Sequence, residues 1–267
     1  MTTHEFLLTA WDWNPFVLAA CVITLLLYGL SCRWKFSGKS FFFLAGLVLC
    51  FLALDSPVSL LARGTLFSAH MLQHLLLVLI VPPLLLMGLP GSGAHGQIPG
   101  RLLPWGNNPL IAWFSGVGAM WIWHVPALCD AAASNGSVHV LQTFSLLFLG
   151  VLFWRPIVSA RKEDRLSPLA GIPYLFTACV ACSLLGIWIS FAPVGVCPVY
   201  MNPVDQLGIL PMIRNGWGLT PIADQQIGGL LMWVPACLIY LGAIMVLLGR
   251  YYRRPIKEME IKNARKK

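Results

Sequence analysis

The chain has 267 residues, 58% of them hydrophobic and only 10% charged, with a mean hydropathy of +0.75 and a formal net charge of +8. Soluble domains carry about 25% charged residues, so a soluble globular protein is excluded and an all-α, polytopic transmembrane bundle forming a single domain is expected. The positive charge does not point to nucleic acid, because its placement follows membrane topology.

Seven apolar segments are each near the ~20 residues that a bilayer requires. In chain order they are Pro15–Cys32, Ser40–Leu61, Thr65–Leu89, Pro109–Leu128, Ser137–Val158, Ser167–Phe191 and Gln226–Gly249. The first residues carry Glu5 and Asp12, not the basic start of a secretory signal. Trp11 and Trp13 precede the first segment as an interfacial belt would. Asp55-Ser56-Pro57 interrupts the second segment and Pro82-Pro83 the third, because proline removes a backbone donor. The stretch from Ala192 to Gln225 is rich in Pro, Gly and Asn. It is too long for a plain turn and is expected to fold over one mouth of the bundle. No internal repeat or soluble domain is evident.

With the N-terminus placed outside, sixteen of the eighteen Lys and Arg residues fall inside, leaving only Arg63 and Arg214 out. That asymmetry sets the expected orientation. It includes the tail of about 250–267, a solvated topology determinant that also stands next to lipid headgroups.

On this map four of the six histidines reach one outer layer of the bilayer from three helices. His70 and His74, at i and i+4, share one face of the third segment. His124 ends the fourth and His139 begins the fifth. His4 and His95 fall in the outer N-terminal segment and an inner Gly-rich loop. Titratable rings inside a membrane helix are costly and signal function, although a histidine at a helix end is commonly a hydrogen-bonded structural residue. Neutral imidazoles suit copper, zinc or haem iron, and copper(I) also accepts thioethers. Met71 and Met120 are therefore possible soft ligands, with plain packing as the competing account. Metal-bound imidazoles usually donate their second nitrogen to a carboxylate, amide or carbonyl. Gln73, Gln142, Asp224 and Asp55 lie on the same side to accept it, although Asp224 in the first turn of a helix also complements the helix dipole. The eight cysteines are scattered and imply no disulfide framework. Cys129 and Cys197 both fall outside, where they are idle, paired, or bound to metal. Cys179-Val180-Ala181-Cys182 lies mid-segment and reads as packing. Walker, dinucleotide, nucleophile-elbow and CxxCH motifs are missing from the sequence, and no enzyme activity is expected.

Several stretches together resemble the CtaG family of cytochrome c oxidase assembly factors. They are His70-Met71-Leu72-Gln73-His74, Trp123-His124-Val125-Pro126, His139 with Gln142 and Phe153-Trp154-Arg155-Pro156, and Thr220-Pro221-Ile222-Ala223-Asp224-Gln225-Gln226 leading into Gly229–Pro235. The resemblance covers about residues 10–250. It implies a multi-pass protein of the bacterial inner membrane that takes part in maturing a haem–copper oxidase, with oxidase subunits as partners and copper as cargo at the outer face. Two other readings belong to different classes: a redox subunit binding haem b through the histidines, and a non-catalytic structural subunit of a respiratory complex.

Overall fold

The computed structural model describes residues 3–35, 37–90, 108–159, 161–193, 195–205 and 208–264. The predicted loop holding His95 and Arg101, and the last three basic residues, lie outside them. Among the described residues every regular element is helical.

The predicted segments appear as helices with legible starts. Helix α1 is Thr3–Thr9. The next, α2 (Pro15–Ser31), begins at an Asn14 cap whose side chain accepts from the Phe16 N–H, with Pro15 at the first position. α3 (Ser40–Asp55) stops where expected. Ser56 is extended, and its hydroxyl caps a separate short helix, α4 (Pro57–Ala62).

The third segment differs from expectation. Pro82-Pro83 does not interrupt it: α5 (Phe67–Leu75) runs through a π turn, Leu76–Ile80, into α6 (Val81–Gly88). Pro82 cannot donate to the Val78 carbonyl four residues back. That carbonyl instead accepts the Trp154 indole N–H at 3.0 Å, so the helix continues at the cost of a wider turn.

The fourth segment bends by 76° between α7 (Pro109–Trp123) and α8 (Pro126–Ser134). Pro126 drives Val125 into an extended conformation, which ends α7 at His124. Asn135 then caps α9 (Gly136–Val158). α10 (Pro168–Phe191) and α12 (Pro221–Ala264) follow, separated by the short α11 (Pro198–Met201) and a π turn, Met212–Gly216.

Four stretches are long and apolar enough to cross a membrane, and the bent α7–α8 pair makes a fifth. α2, with 17 residues, and α3, with 16, are apolar but shorter. Large apolar side chains such as Leu27, Phe41, Phe114, Phe144, Leu184 and Leu238 face outward, as a lipid-facing surface requires. α10 and α12 pack through small residues: a Cβ at Gly186 would stand 2.9 Å from the Gly229 carbonyl, and one at Gly229 would strike Ser190.

One end of the bundle is closed by ties between distant segments. Arg63 pairs with Asp12 at 2.7 Å. Phe6 of α1 is buried against Leu61, Leu66, Ile209 and Ile213. Cys129 and Cys197 form a disulfide, with Cα atoms 5.7 Å apart, so of the three options for this pair the structure adopts the cross-link. It holds the stretch after α10 across α8. The Tyr200 hydroxyl donates to the Ala62 carbonyl at 2.6 Å, and the Val199 N–H donates to Asp130 at 2.8 Å. The expected cover over this mouth is therefore present and tied down. Gln225 fixes its start, accepting from the Val196 N–H at 2.9 Å and donating to the Ile189 carbonyl at 3.1 Å.

Asp224 has a role the local sequence does not indicate. Thr220 caps α12, accepting from the Ala223 N–H. The Asp224 carboxylate reaches away to accept from the Phe67 and Ser68 N–H groups, at 2.7 and 3.1 Å, at the start of α5. It caps the histidine-bearing helix from another helix, where a negative charge also meets the positive end of the dipole.

Two outcomes follow from these ties. Asp224→Ala lowers stability by about 2–3 kcal/mol, because two N–H groups lose a buried charged acceptor. Asp224→Asn, which keeps one acceptor, costs less, and thermal unfolding of the detergent-solubilised protein gives that order. The disulfide closes a 68-residue separation, for which chain entropy gives roughly 4 kcal/mol. Denatured protein takes up six alkyl groups before reduction and eight after it, and Cys129→Ser/Cys197→Ser unfolds at a lower temperature.

Candidate functional site

Capping by Asp224 sets the rotation of α5, and its first full turn carries His70. That ring is fully buried and lies under Tyr200, with ring centroids 5.6 Å apart. His74, one turn on, is also buried, its centroid 4.2 Å from that of His70. His124, at the bend after α7, meets His74 edge-on at 5.3 Å. The helical spacing and the Pro126 bend thus bring three of the predicted histidines into one contiguous row.

His139, in the first turn of α9, is near enough to act electrostatically on His70 and His74. It lines a cavity of about 660 Å³ together with Asn14, Arg63, Thr65 and Asn135. At 8% exposure it is the most accessible of the four. Among the described residues no three His, Cys, Asp or Glu side chains are close enough together to ligate one ion. The four histidines share a level of the bundle and a neighbourhood, not a single coordination point.

The hydrogen-bond pattern separates this level from the rest of the interior. Both ring nitrogens of His70 and both of His74 are buried without a partner, as are His139 Nδ1 and both amide atoms of Gln142. The Ala62 carbonyl approaches His70 and Gln142 approaches His74, but neither contact reaches hydrogen-bond geometry. Each buried polar group left without a partner costs on the order of 1–3 kcal/mol, so this layer stores several such penalties side by side.

The predicted supporting residues divide. Gln142, which its spacing places near the face of His139, lies beside His74. Gln73 turns to α3, donating to the Ala53 carbonyl at 2.8 Å. Three residues along a helix leave Gln73 about 60° from His70's direction, and its amide takes the α3 side of that face. Asp55 accepts from the Asn14 N–H at 2.8 Å and leaves its second oxygen unpaired. Asp224 serves the start of α5.

Met71 touches the row directly, with its sulfur 3.2 Å from His124 Nε2. The Met120 carbonyl accepts from the other side of that ring, at Nδ1. The Met120 side chain, with Met71 and His74, lines a second cavity of about 10 Å³, shared with Met232, Cys182 and Tyr240. Sequence reasoning did not single out Tyr200, Met232 or Tyr240. Met232 and Tyr240 lie eight residues apart on one face of α12, a periodicity that was available. Tyr200 sits in an irregular stretch and has no such signal.

Comparison with known proteins places these features. An uncharacterized protein of Mycobacterium leprae is 25% identical over 211 residues, covering 72% of this chain and 31% of that protein. Uncharacterized proteins of Mycobacterium bovis and Mycobacterium tuberculosis match at 25% over 212 residues with the same coverage. The chain thus spans about a third of the length of these relatives. No solved structure matches it. The sequence model for the cytochrome c oxidase caa3 assembly factors matches residues 17–254, from α2 into α12 and across every histidine of the layer. The chain belongs to the cytochrome c oxidase caa3 assembly factor (CtaG) family.

Proposed function

We propose that the chain assists assembly of a haem–copper oxidase in the bacterial inner membrane by holding copper as cargo, without catalysing a reaction. It holds the copper through His70, His74, His124 and His139, not all on one ion, and oxidase subunits docked in the membrane are its recipients. The observation that carries this reading is the set of four buried, unpartnered nitrogens of His70 and His74. Neutral imidazole nitrogens ligate copper, and a bound ion would satisfy groups that the fold leaves open. Gln142, beside His74, takes the proton-bearing nitrogen of that ring and fixes its orientation. Asp224, Gln73 and Asp55 act further out by fixing α5, α3 and the first turn of α2. Cargo reaches the layer through the large cavity beside His139, the most accessible of the four rings.

In this reading the whole chain is one transmembrane domain of seven spans, with α2 and α3 as the two short ones. The N-terminus is outside and the C-terminus inside. Two independent features support that orientation. The basic residues Arg33, Lys35, Lys39, Arg155, Arg161, Arg165 and Arg250 gather away from the histidine end, as the positive-inside rule requires. The Cys129–Cys197 disulfide stands at the histidine end, and such bonds persist outside the cytoplasm. A haem is a poorer fit than a single ion, because two imidazoles one turn apart on one helix suit one small ion better than two haem faces.

Purified protein is expected to carry copper, and His70→Ala/His74→Ala to lose it by at least about tenfold, measured as metal per chain by mass spectrometry. Copper content that is nil in the native protein, or unchanged in the variant, overturns the assignment. Green fluorescent protein fused behind Lys267 is expected to fluoresce and alkaline phosphatase there to stay inactive. The opposite pair of results overturns the orientation.

A further inference from the structure

The small cavity beneath the histidine row is walled by soft donors. Its volume of about 10 Å³ is room for roughly one water-sized species. Met71 reaches it from α5, Met120 from α7 and Met232 from α12, while His74 and Cys182 border it as well. Among the described residues no Asp or Glu lines it. Methionines fill core gaps in many proteins, but plain packing would close this space and would not require what stands beside it.

That neighbour is the His124 ring. A neutral imidazole has one N–H and one lone pair, yet His124 faces two acceptors, the Met120 carbonyl at Nδ1 and the Met71 sulfur at Nε2. The carbonyl is the stronger acceptor and takes the proton. Nε2 is then left with a free lone pair, 3.2 Å from the thioether sulfur of Met71. Bonds of about 2.0 Å to nitrogen and about 2.3 Å to sulfur, the lengths known for zinc, would let both donors reach one ion at roughly a right angle. A backbone carbonyl holding the far nitrogen is also how ligating histidines are oriented. His74 supplies a second imidazole at the same cavity, with both nitrogens unpartnered at 2% exposure.

We propose that a soft monovalent cation, copper(I), binds at the Met71 edge of this cavity, held first by Met71 Sδ and by Nε2 of the His124 ring, which contacts Met71 from outside the cavity lining. The thioethers of Met120 and Met232 complete its shell, and His74 passes the ion between the histidine layer and the cavity. The proposal rests on reading the histidine layer as a copper site, and it adds the oxidation state and the sulfur ligands. Thioethers are neutral and soft and select copper(I) over harder ions. A divalent ion would bring a second charge into an apolar interior where no carboxylate lines the cavity to balance it. Binding displaces no proton, since every donor is already neutral.

The full chain in detergent, kept anaerobic, is titrated with copper(I), with silver(I) as a redox-inert monovalent probe, and with zinc(II). X-ray absorption then reports the ligand atoms. Copper(I) and silver(I) are expected to bind at least about tenfold more tightly than zinc(II), with sulfur in the copper shell. Met71→Leu/Met232→Leu keeps side-chain volume and is expected to weaken copper(I) by at least about tenfold and to diminish the sulfur signal. Copper bound through nitrogen alone, with the double variant unchanged, overturns the soft site and leaves the histidine layer standing. Zinc(II) bound as tightly as silver(I) also overturns it. A native chain that binds none of the three ions overturns both readings. If the double variant does not fold, the sulfur signal of the native chain decides.

Discussion

The arrangement depends on one carboxylate. Asp224 lies near the start of the last long helix and is fully buried, yet its oxygens accept from the first two N–H groups of α5, more than 150 residues earlier. Helix starts leave such donors open, and a buried start without an acceptor is strongly disfavoured. The interaction therefore fixes where α5 begins, and with it the rotation that turns His70 and His74 toward α7. The next residue, Gln225, takes the Val196 N–H and the Ile189 carbonyl. Two adjacent side chains thus join the histidine helix, the end of α10 and the cover above the site. Close packing of α10 on α12 through Gly186 and Gly229 makes the platform on which they act rigid.

Polar groups elsewhere in the bundle are accounted for with little waste. The carbonyl freed by Pro82 takes Trp154, the Tyr174 hydroxyl donates to Phe153, Gln73 donates to Ala53, and Tyr200 donates to Ala62. In an apolar environment each is close to obligatory. Against that background the open groups are concentrated. Of the side chains with buried unpaired atoms, His70, His74, His139 and Gln142 belong to the layer, and Asp55 and Ser59 lie at the same end. Arg214 and Trp233 each leave one further N–H. A fold able to supply partners for prolines and tyrosines leaves its imidazoles bare, and clustered exceptions of this kind call for an explanation.

Much of the scaffold was legible because its causes are local. Asn14, Asn108 and Asn135 mark helix starts by capping their own helices, and Ser56-Pro57 ends one helix and begins another within two residues. Pro82-Pro83 misled because the donor that rescues it, Trp154, comes from 72 residues further along the chain, and no local rule shows that. Asp224 misled for the same reason: its sequence context explains a first-turn acid, while its partner is on another helix. The depth of the histidines followed from counting Lys and Arg, but their lateral positions depend on helix rotation and on the bend at His124. Depth alone suggested one four-residue centre; the structure sets the rings of His70, His74 and His124 in a row, with His139 nearby on the wall of the large cavity. The Cys129–Cys197 pair and Tyr200 sit in irregular chain, where no periodicity predicts a neighbour.

The donor set also bears on how tightly such a protein would hold its cargo. A resident metal is commonly secured by charged ligands, thiolates or carboxylates, whose attraction adds to coordination. In the proposed site every donor is neutral, so a cation entering the apolar interior is held by coordination alone and its charge is left uncompensated. That charge lowers the barrier to departure toward any partner presenting a thiolate or carboxylate. The Tyr200 cover and the disulfide oppose escape to solvent above His70, while the cavity beside His139 is the entry proposed for the ion. Neutral donors under a fixed cover fit an ion held for transfer better than one held for good, which agrees with the proposed role in oxidase assembly.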